Sequence, residues 1–192
     1  MTDVLKQLLI DTLRDPRGAA AKVLAIPLSA QVWWLILAIV VALNAVIYGV
    51  FLSFQAPIGV LPLVTNNPFG YALATGGMFV ALVMMFHWIG GWMGGKGTLR
   101  DTLAIVSWLH AVQLVVLTVL SLLGLVLGGL ASMLSLGFSV YFFWMLMCFL
   151  KEAHQLNSLG QSFLLMVFGH IGAVLALSFL LVLAGVSPVG PV

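Results

Sequence analysis

Three histidines, His87, His110 and His170, fall inside long uncharged apolar runs and carry most of the chemical reach of this chain. Counted at 1.5 Å per residue from the ends nearest the basic residues, the imidazoles lie about 9, 12 and 14 Å in. Imidazoles held at one depth by three helices are the ingredients of a haem site, a metal site or a proton relay. The set is incomplete, because no Asp or Glu occurs in these runs to orient an imidazole or take its proton. The preferred reading is therefore structural: histidines bonded to Gln113, to a serine or to a backbone carbonyl. His87, His110 and His170 stay as metal candidates only, and no cofactor or metal is assigned. Together with Gln113 and Asn44 they define an alternative, a small membrane carrier or a haem- or metal-holding subunit. The fourth histidine, His154, stands beside Lys151 and Glu152 and reads as a surface or interface residue.

Hydrolytic chemistry finds little support. Gly137-Phe138-Ser139-Val140 begins like the Gly-x-Ser-Gly of intramembrane serine proteases, but Val140 replaces the last glycine. Measured from the other membrane face, Ser139 lies about 13 Å deep and His170 about 22 Å, too far apart in height for a dyad. The nine methionines are scattered as packing residues are, and Asn44 reads as a helix-to-helix hydrogen-bonding group. The chain is read as no enzyme.

The elements that must position these residues follow from composition. Of 192 residues 63% are apolar and 6% charged, whereas a water-soluble domain carries about 25% charged residues. The net charge of +2, without a basic run, gives no footprint for nucleic acid. Cys148 is the one cysteine, so no internal disulfide framework exists. A helix needs about 20 apolar residues to cross a bilayer. Five uncharged runs meet that length: Gln31 to Phe54, Gly70 to Met93, Thr102 to Leu127, Leu130 to Leu150 and Gln161 to Ala184. The expected fold is all-α, a polytopic five-span bundle (residues 31–185) behind an amino-terminal interfacial segment (1–30), with an external tail (186–192). The break between the third and fourth runs rests on Gly124, Gly128 and Gly129 and on run length.

Within residues 1–30, Val4, Leu5, Leu8, Leu9 and Leu13 recur at helical spacing, as in an amphipathic helix lying in the headgroup layer. Asp15 caps a second short helix that starts at Pro16. Charged residues mixed with aliphatics read as a retained start rather than a cleaved signal peptide. All seven basic residues fall in the amino-terminal segment, the second connection or the fourth connection. Basic residues mark cytoplasmic loops, so the amino terminus is expected inside and the carboxyl terminus outside.

On the third run Ser107, His110, Thr118 and Ser121 fall within about 80° of arc with Gln113 flanking, opposite Ile105, Val112, Val116 and Leu123. Small residues form stripes on the first run (Ala38, Ala42, Ala45, Gly49) and the fifth (Ser162, Gly169, Ala173, Ala176), which permits close helix approach. The pairs Gly90/Gly94 and Gly91/Gly95 fit either a packing motif or a turn before Lys96.

Three stretches resemble bacterial members of the Yip1-domain family: Asp11-Thr12-Leu13-Arg14-Asp15-Pro16-Arg17-Gly18-Ala19-Ala20, Gly94-Gly95-Lys96-Gly97-Thr98-Leu99-Arg100-Asp101, and Lys151-Glu152-Ala153-His154. The whole layout, an amino-terminal helix followed by five spans, is also similar to that family. The resemblance implies a bacterial cytoplasmic (inner) membrane protein with no shared catalytic residue. Eukaryotic members act in vesicle trafficking through small GTPases, but their long amino-terminal domain and Asp-Leu-Tyr-Gly-Pro-type motif have no counterpart here, so that role does not carry over. The expected function is a non-enzymatic scaffold, assembly factor or accessory subunit whose partners are the lipid bilayer and other integral membrane proteins. Its expected contact residues are Asp15, Pro16, Arg17, Lys96, Arg100, Asp101, Lys151, Glu152 and His154.

Overall fold

A computed structural model describes residues 2–52 and 67–183. Every regular element among the described residues is a helix: α1 (Thr2–Arg14), α2 (Pro16–Leu24), α3 (Ala30–Leu52), α4 (Pro68–Trp92), α5 (Leu99–Gly124), α6 (Gly128–His154) and α7 (Leu159–Leu183). The last five are each long and apolar enough to cross a membrane, so the expected all-α, five-span class is the class adopted. Most of the first connection and all of the tail lie outside the described residues.

The helix ends depart from the uncharged runs where caps draw polar residues into the helix. α5 starts at Leu99, not at residue 102, because Thr98 and Asp101 form a reciprocal capping box that satisfies two orphan N–H groups. α6 runs on through Lys151 and Glu152 to His154, where basic side chains suit the negative end of the helix dipole. It stops at Gln155, whose φ of 52° is left-handed, and the Leu156 N–H closes the turn on the Lys151 carbonyl at 3.0 Å. Between α5 and α6 the chain breaks at residues 125–127, where the glycines indicated it.

α5 lies in the middle, packed against α2, α3, α4 and α6. Every residue from Thr102 to Ser107 is buried, and Val112 is too. Ile105 and Val112, expected on an outer face, are thus covered. α1 and α2 do not lie apart from the bundle. Trp108 donates its indole N–H to Thr12 Oγ1 at 3.0 Å, and the Tyr141 hydroxyl donates to the Leu13 carbonyl at 3.0 Å. Pro16, Ala19, Ala20 and Val23 of α2 are buried against α5 and α6. Lys22 meets Asp11 at 2.7 Å and ties the two short helices together. That ammonium, followed by the Gln7 amide at 2.8 Å, holds the Asp11 carboxyl below its usual range.

The small-residue stripes serve two ends. On α7, Ser162, Gly169 and Ala173 are buried, and a Cβ on Gly169 would enter the Phe86 ring of α4. On α3, Ala38 and Ala42 instead border an apolar groove of about 310 Å³ with Ala72 and Gly76 of α4.

Candidate functional site

Polar side chains gather at two places. At the charged end, the end of the bundle that carries the basic residues, three segments lock together. The Arg100 guanidinium donates to the carbonyls of Leu24 (2.8 Å), Leu28 (3.2 Å) and Ile26, and also meets Asp101 at 3.1 Å. It thereby clamps the link between α2 and α3 and sits on the negative end of the α2 dipole. Lys96 N–H donates to the His154 carbonyl at 2.9 Å, joining the α4–α5 loop to the end of α6.

His154 is fully buried there. Three glycines cradle it: a Cβ on Gly90 would lie 2.5 Å from its Nε2, one on Gly95 2.9 Å from its Cβ, and one on Gly97 2.8 Å from its Cδ2. The Gly90/Gly94 and Gly91/Gly95 region therefore does both of the jobs expected of it in part. Gly90 receives the ring, while Gly94 turns the chain at φ 85°. The imidazole lies 3.4 Å from Thr102 Oγ1 through Nε2 and 3.3 Å from the Leu150 carbonyl through Nδ1, with the Phe86 backbone as a further partner.

The expected contact residues accordingly divide. His154 and Pro16 are buried, the first within the glycine cradle and the second on the face of α2 that packs on the bundle. Arg100 and Asp101 spend their polar atoms on the clamp and the cap. Asp15, Arg17, Lys96 and Glu152 are exposed and Lys151 is half-buried, with the Arg17 guanidinium 5.7 Å from the centre of the Trp144 ring.

The second place is a cavity of about 720 Å³ between α3, α4 and α5, in the half of the bundle away from the charged end. Its polar lining comes from Asn44 and Tyr48 of α3, Tyr71 and Thr75 of α4, and His110, Gln113, Thr118 and Ser121 of α5. The Tyr71 hydroxyl donates to Asn44 Oδ1 at 2.9 Å, and its ring stacks on Tyr48 at 3.8 Å. His110 Nδ1 is 2.9 Å from the Gln113 carbonyl oxygen, which fixes the tautomer with hydrogen on Nδ1, and the imidazole stacks on Phe79 at 3.9 Å. The polar arc read on the third run survives as this wall, except for Ser107. That residue is buried and donates to the Trp33 carbonyl at 3.3 Å.

The histidines do not form one set. His110 faces the cavity wall, and His170 donates from Nδ1 to the Met166 carbonyl at 2.7 Å between Phe86 and Phe143. His87 has a buried Nδ1 without a partner among the described residues. Among those residues no three His, Cys, Asp or Glu side chains gather as a metal-ligand group. Ser139 is exposed and donates to the Ser135 carbonyl at 2.8 Å, a local helix bond. Tyr48, Tyr71 and Thr75 escaped the sequence reading. Their signal was the polar or aromatic residue one turn from Asn44 and the i, i+4 pair on the second run.

A five-span helical bundle with amphipathic helices docked on one end defines a multi-pass integral membrane protein. The family model of the Yip1 domain matches residues 10–186, and the chain belongs to that family. No curated protein and no solved structure matches it significantly.

Proposed function

We propose that this chain is a non-enzymatic scaffold, assembly factor or accessory subunit of a complex in a bacterial cytoplasmic membrane, and that it docks another integral membrane protein through its charged end. The observation that carries the reading is the interlock of that end. The α2–α3 link, the α4–α5 loop and the close of α6 are bonded to one another through Arg100, Lys96 and His154. Arg17, Lys96, Lys151 and Glu152 thus stand on a platform already ordered before a partner arrives, and a pre-ordered surface saves the entropy of arranging it on binding. In this reading the charged end is cytoplasmic and the carboxyl terminus periplasmic, as the distribution of basic residues favours.

Photo-crosslinking amino acids placed at Lys96 and Lys151, and at the exposed Leu175 of α7 as a control, test the docking. The expected result is one common neighbour captured from 96 and 151 and not from 175, and its loss when Arg17→Glu and Lys96→Glu are combined. Capture at 175 equal to that at 96 and 151 overturns the reading. A cysteine at Val192 is expected to react with a membrane-impermeant maleimide from outside; labelling only from the cytoplasmic side overturns the orientation.

A further inference from the structure

We propose that the cavity between α3, α4 and α5 is a binding site for a lipid-soluble molecule with an uncharged, oxygen-bearing head. The proposal is independent of the docking platform, which lies at the other end of the bundle.

Among the described residues the cavity lining contains no Lys, Arg, Asp or Glu. An ionised head would enter without a counter-charge, which costs several kcal/mol per ion in a low-dielectric interior. An uncharged head meets donors and acceptors instead. His110 holds its hydrogen on Nδ1 for the Gln113 carbonyl, which leaves Nε2 as an acceptor. The Gln113 amide N–H₂ lines the cavity and donates to no described residue, and the exposed Ser121 hydroxyl stands at its edge. Polar groups that face a void in a membrane helix are costly unless something satisfies them.

Leu114, Leu117 and Leu125 complete the wall, so the site is amphipathic as well as uncharged. Only three of the five spans border it, which sets it at the side of the bundle. Leu125 at its rim, in the turn that ends α5, is 71% exposed. A volume of about 720 Å³ lies within the roughly 300–1,000 Å³ typical of small-molecule sites. A glyceride head and a quinone or quinol ring share the required chemistry: hydroxyl or carbonyl oxygens, no charge, and an apolar tail.

The test uses the full chain in phosphatidylcholine nanodiscs with three diazirine probes: a diacylglycerol, an isoprenoid quinone and a phosphatidylglycerol. One of the two uncharged probes is expected to label peptides of α3, α4 and α5 saturably, in competition with its unlabelled parent, and which one does so identifies the source. Gln113→Met and Thr118→Val, both close in volume to the native side chains, are each expected to lower that labelling at least fivefold while thermal unfolding of the bundle is retained. Saturable labelling by the phosphatidylglycerol probe at the same peptides, absence of saturable labelling by either uncharged probe, or labelling indifferent to both variants in folded protein overturns the proposal.

Discussion

The two ends of the bundle handle polar groups in opposite ways. At the charged end a guanidinium is bonded to the carbonyls of the α2–α3 link, and a buried imidazole is enclosed by a glycine-lined turn. At the other end an amide, an imidazole and several hydroxyls stand around an open volume, and the Gln113 amide N–H₂ donates to no described residue. Closed networks make a structure rigid and intolerant of change, whereas a half-satisfied wall keeps capacity for a ligand and tolerates substitution. The contrast teaches that the buried polar groups of the charged end are spent on holding segments together, whereas the uncharged polar groups of the other end border open space. Substitutions should therefore cost stability at the first end and spare it at the second.

The largest effect is expected at Arg100. Arg100→Ala removes donors from three carbonyls at once and is expected to destabilise the bundle by about 2–4 kcal/mol, since hydrogen bonds to a charged group are worth more than neutral ones. Arg100→Lys keeps the charge but not the fork that spans Leu24, Ile26 and Leu28, so it should restore only part of the loss. Limited proteolysis between Ala25 and Ser29 together with thermal unfolding in detergent checks both. Protection unchanged in Arg100→Ala would remove the clamp from this account.

Next in size is the glycine pair Gly90 and Gly91. Gly90→Ala places a methyl group against the His154 ring, an overpacking expected to cost about 1–3 kcal/mol. Gly91→Ala meets nothing within 4 Å and is expected to be neutral or to stabilise by up to about 1 kcal/mol through helix propensity. Unfolding midpoints that fall by the same amount in both variants would show that the cradle does not decide the packing.

This pair also shows what a sequence can and cannot disclose. Run length alone is enough for five helices, because apolar length is a property of each segment by itself. The partners of Gly90, Arg100 and His154 come from segments far away in the chain, and nothing local in Lys151-Glu152-Ala153-His154 announces that its histidine turns inward while Glu152 stays exposed. The same holds for Ile105 and Val112, which lie opposite the polar arc and are nonetheless buried by neighbours that composition does not disclose. Half of the cavity wall was legible as the polar arc on α5. The other half was not, since Tyr48 and Tyr71 are common interfacial residues until the fold stacks them together.

A smaller effect is expected at the cavity. Gln113→Met deletes the acceptor of the His110 N–H but leaves that imidazole beside a roomy polar space, where water can replace the lost bond. The expected change in stability is under about 1 kcal/mol. Thermal unfolding compared with that of Arg100→Ala measures the contrast between the two ends directly, and an equal loss in both would abolish it.

The smallest effect belongs to the outermost tie of the charged end, Asp11 with Lys22. The folded-state pKa of Asp11 is lowered, by its bond to Lys22 first and by Gln7 after it. Its contribution is therefore fully present above the ordinary aspartate pKa of about 3.9 and is lost as pH falls through the lower folded value. Because the pair is solvent-exposed, salt should weaken it as well. Spin labels on the exposed positions Lys6 and Ala21 are expected to give a narrow distance distribution at neutral pH and low salt. That distribution should broaden as pH falls below the ordinary aspartate range, because the folded-state pKa is lowered, and Asp11→Asn should broaden it at neutral pH. The bundle itself should stay folded in each case, because Trp108 and Tyr141 hold α1 through Thr12 and Leu13 without any charge. Distances indifferent to both acid and Asp11→Asn would assign the docking of α1 on α2 to those two neutral bonds and to the buried face of α2 alone.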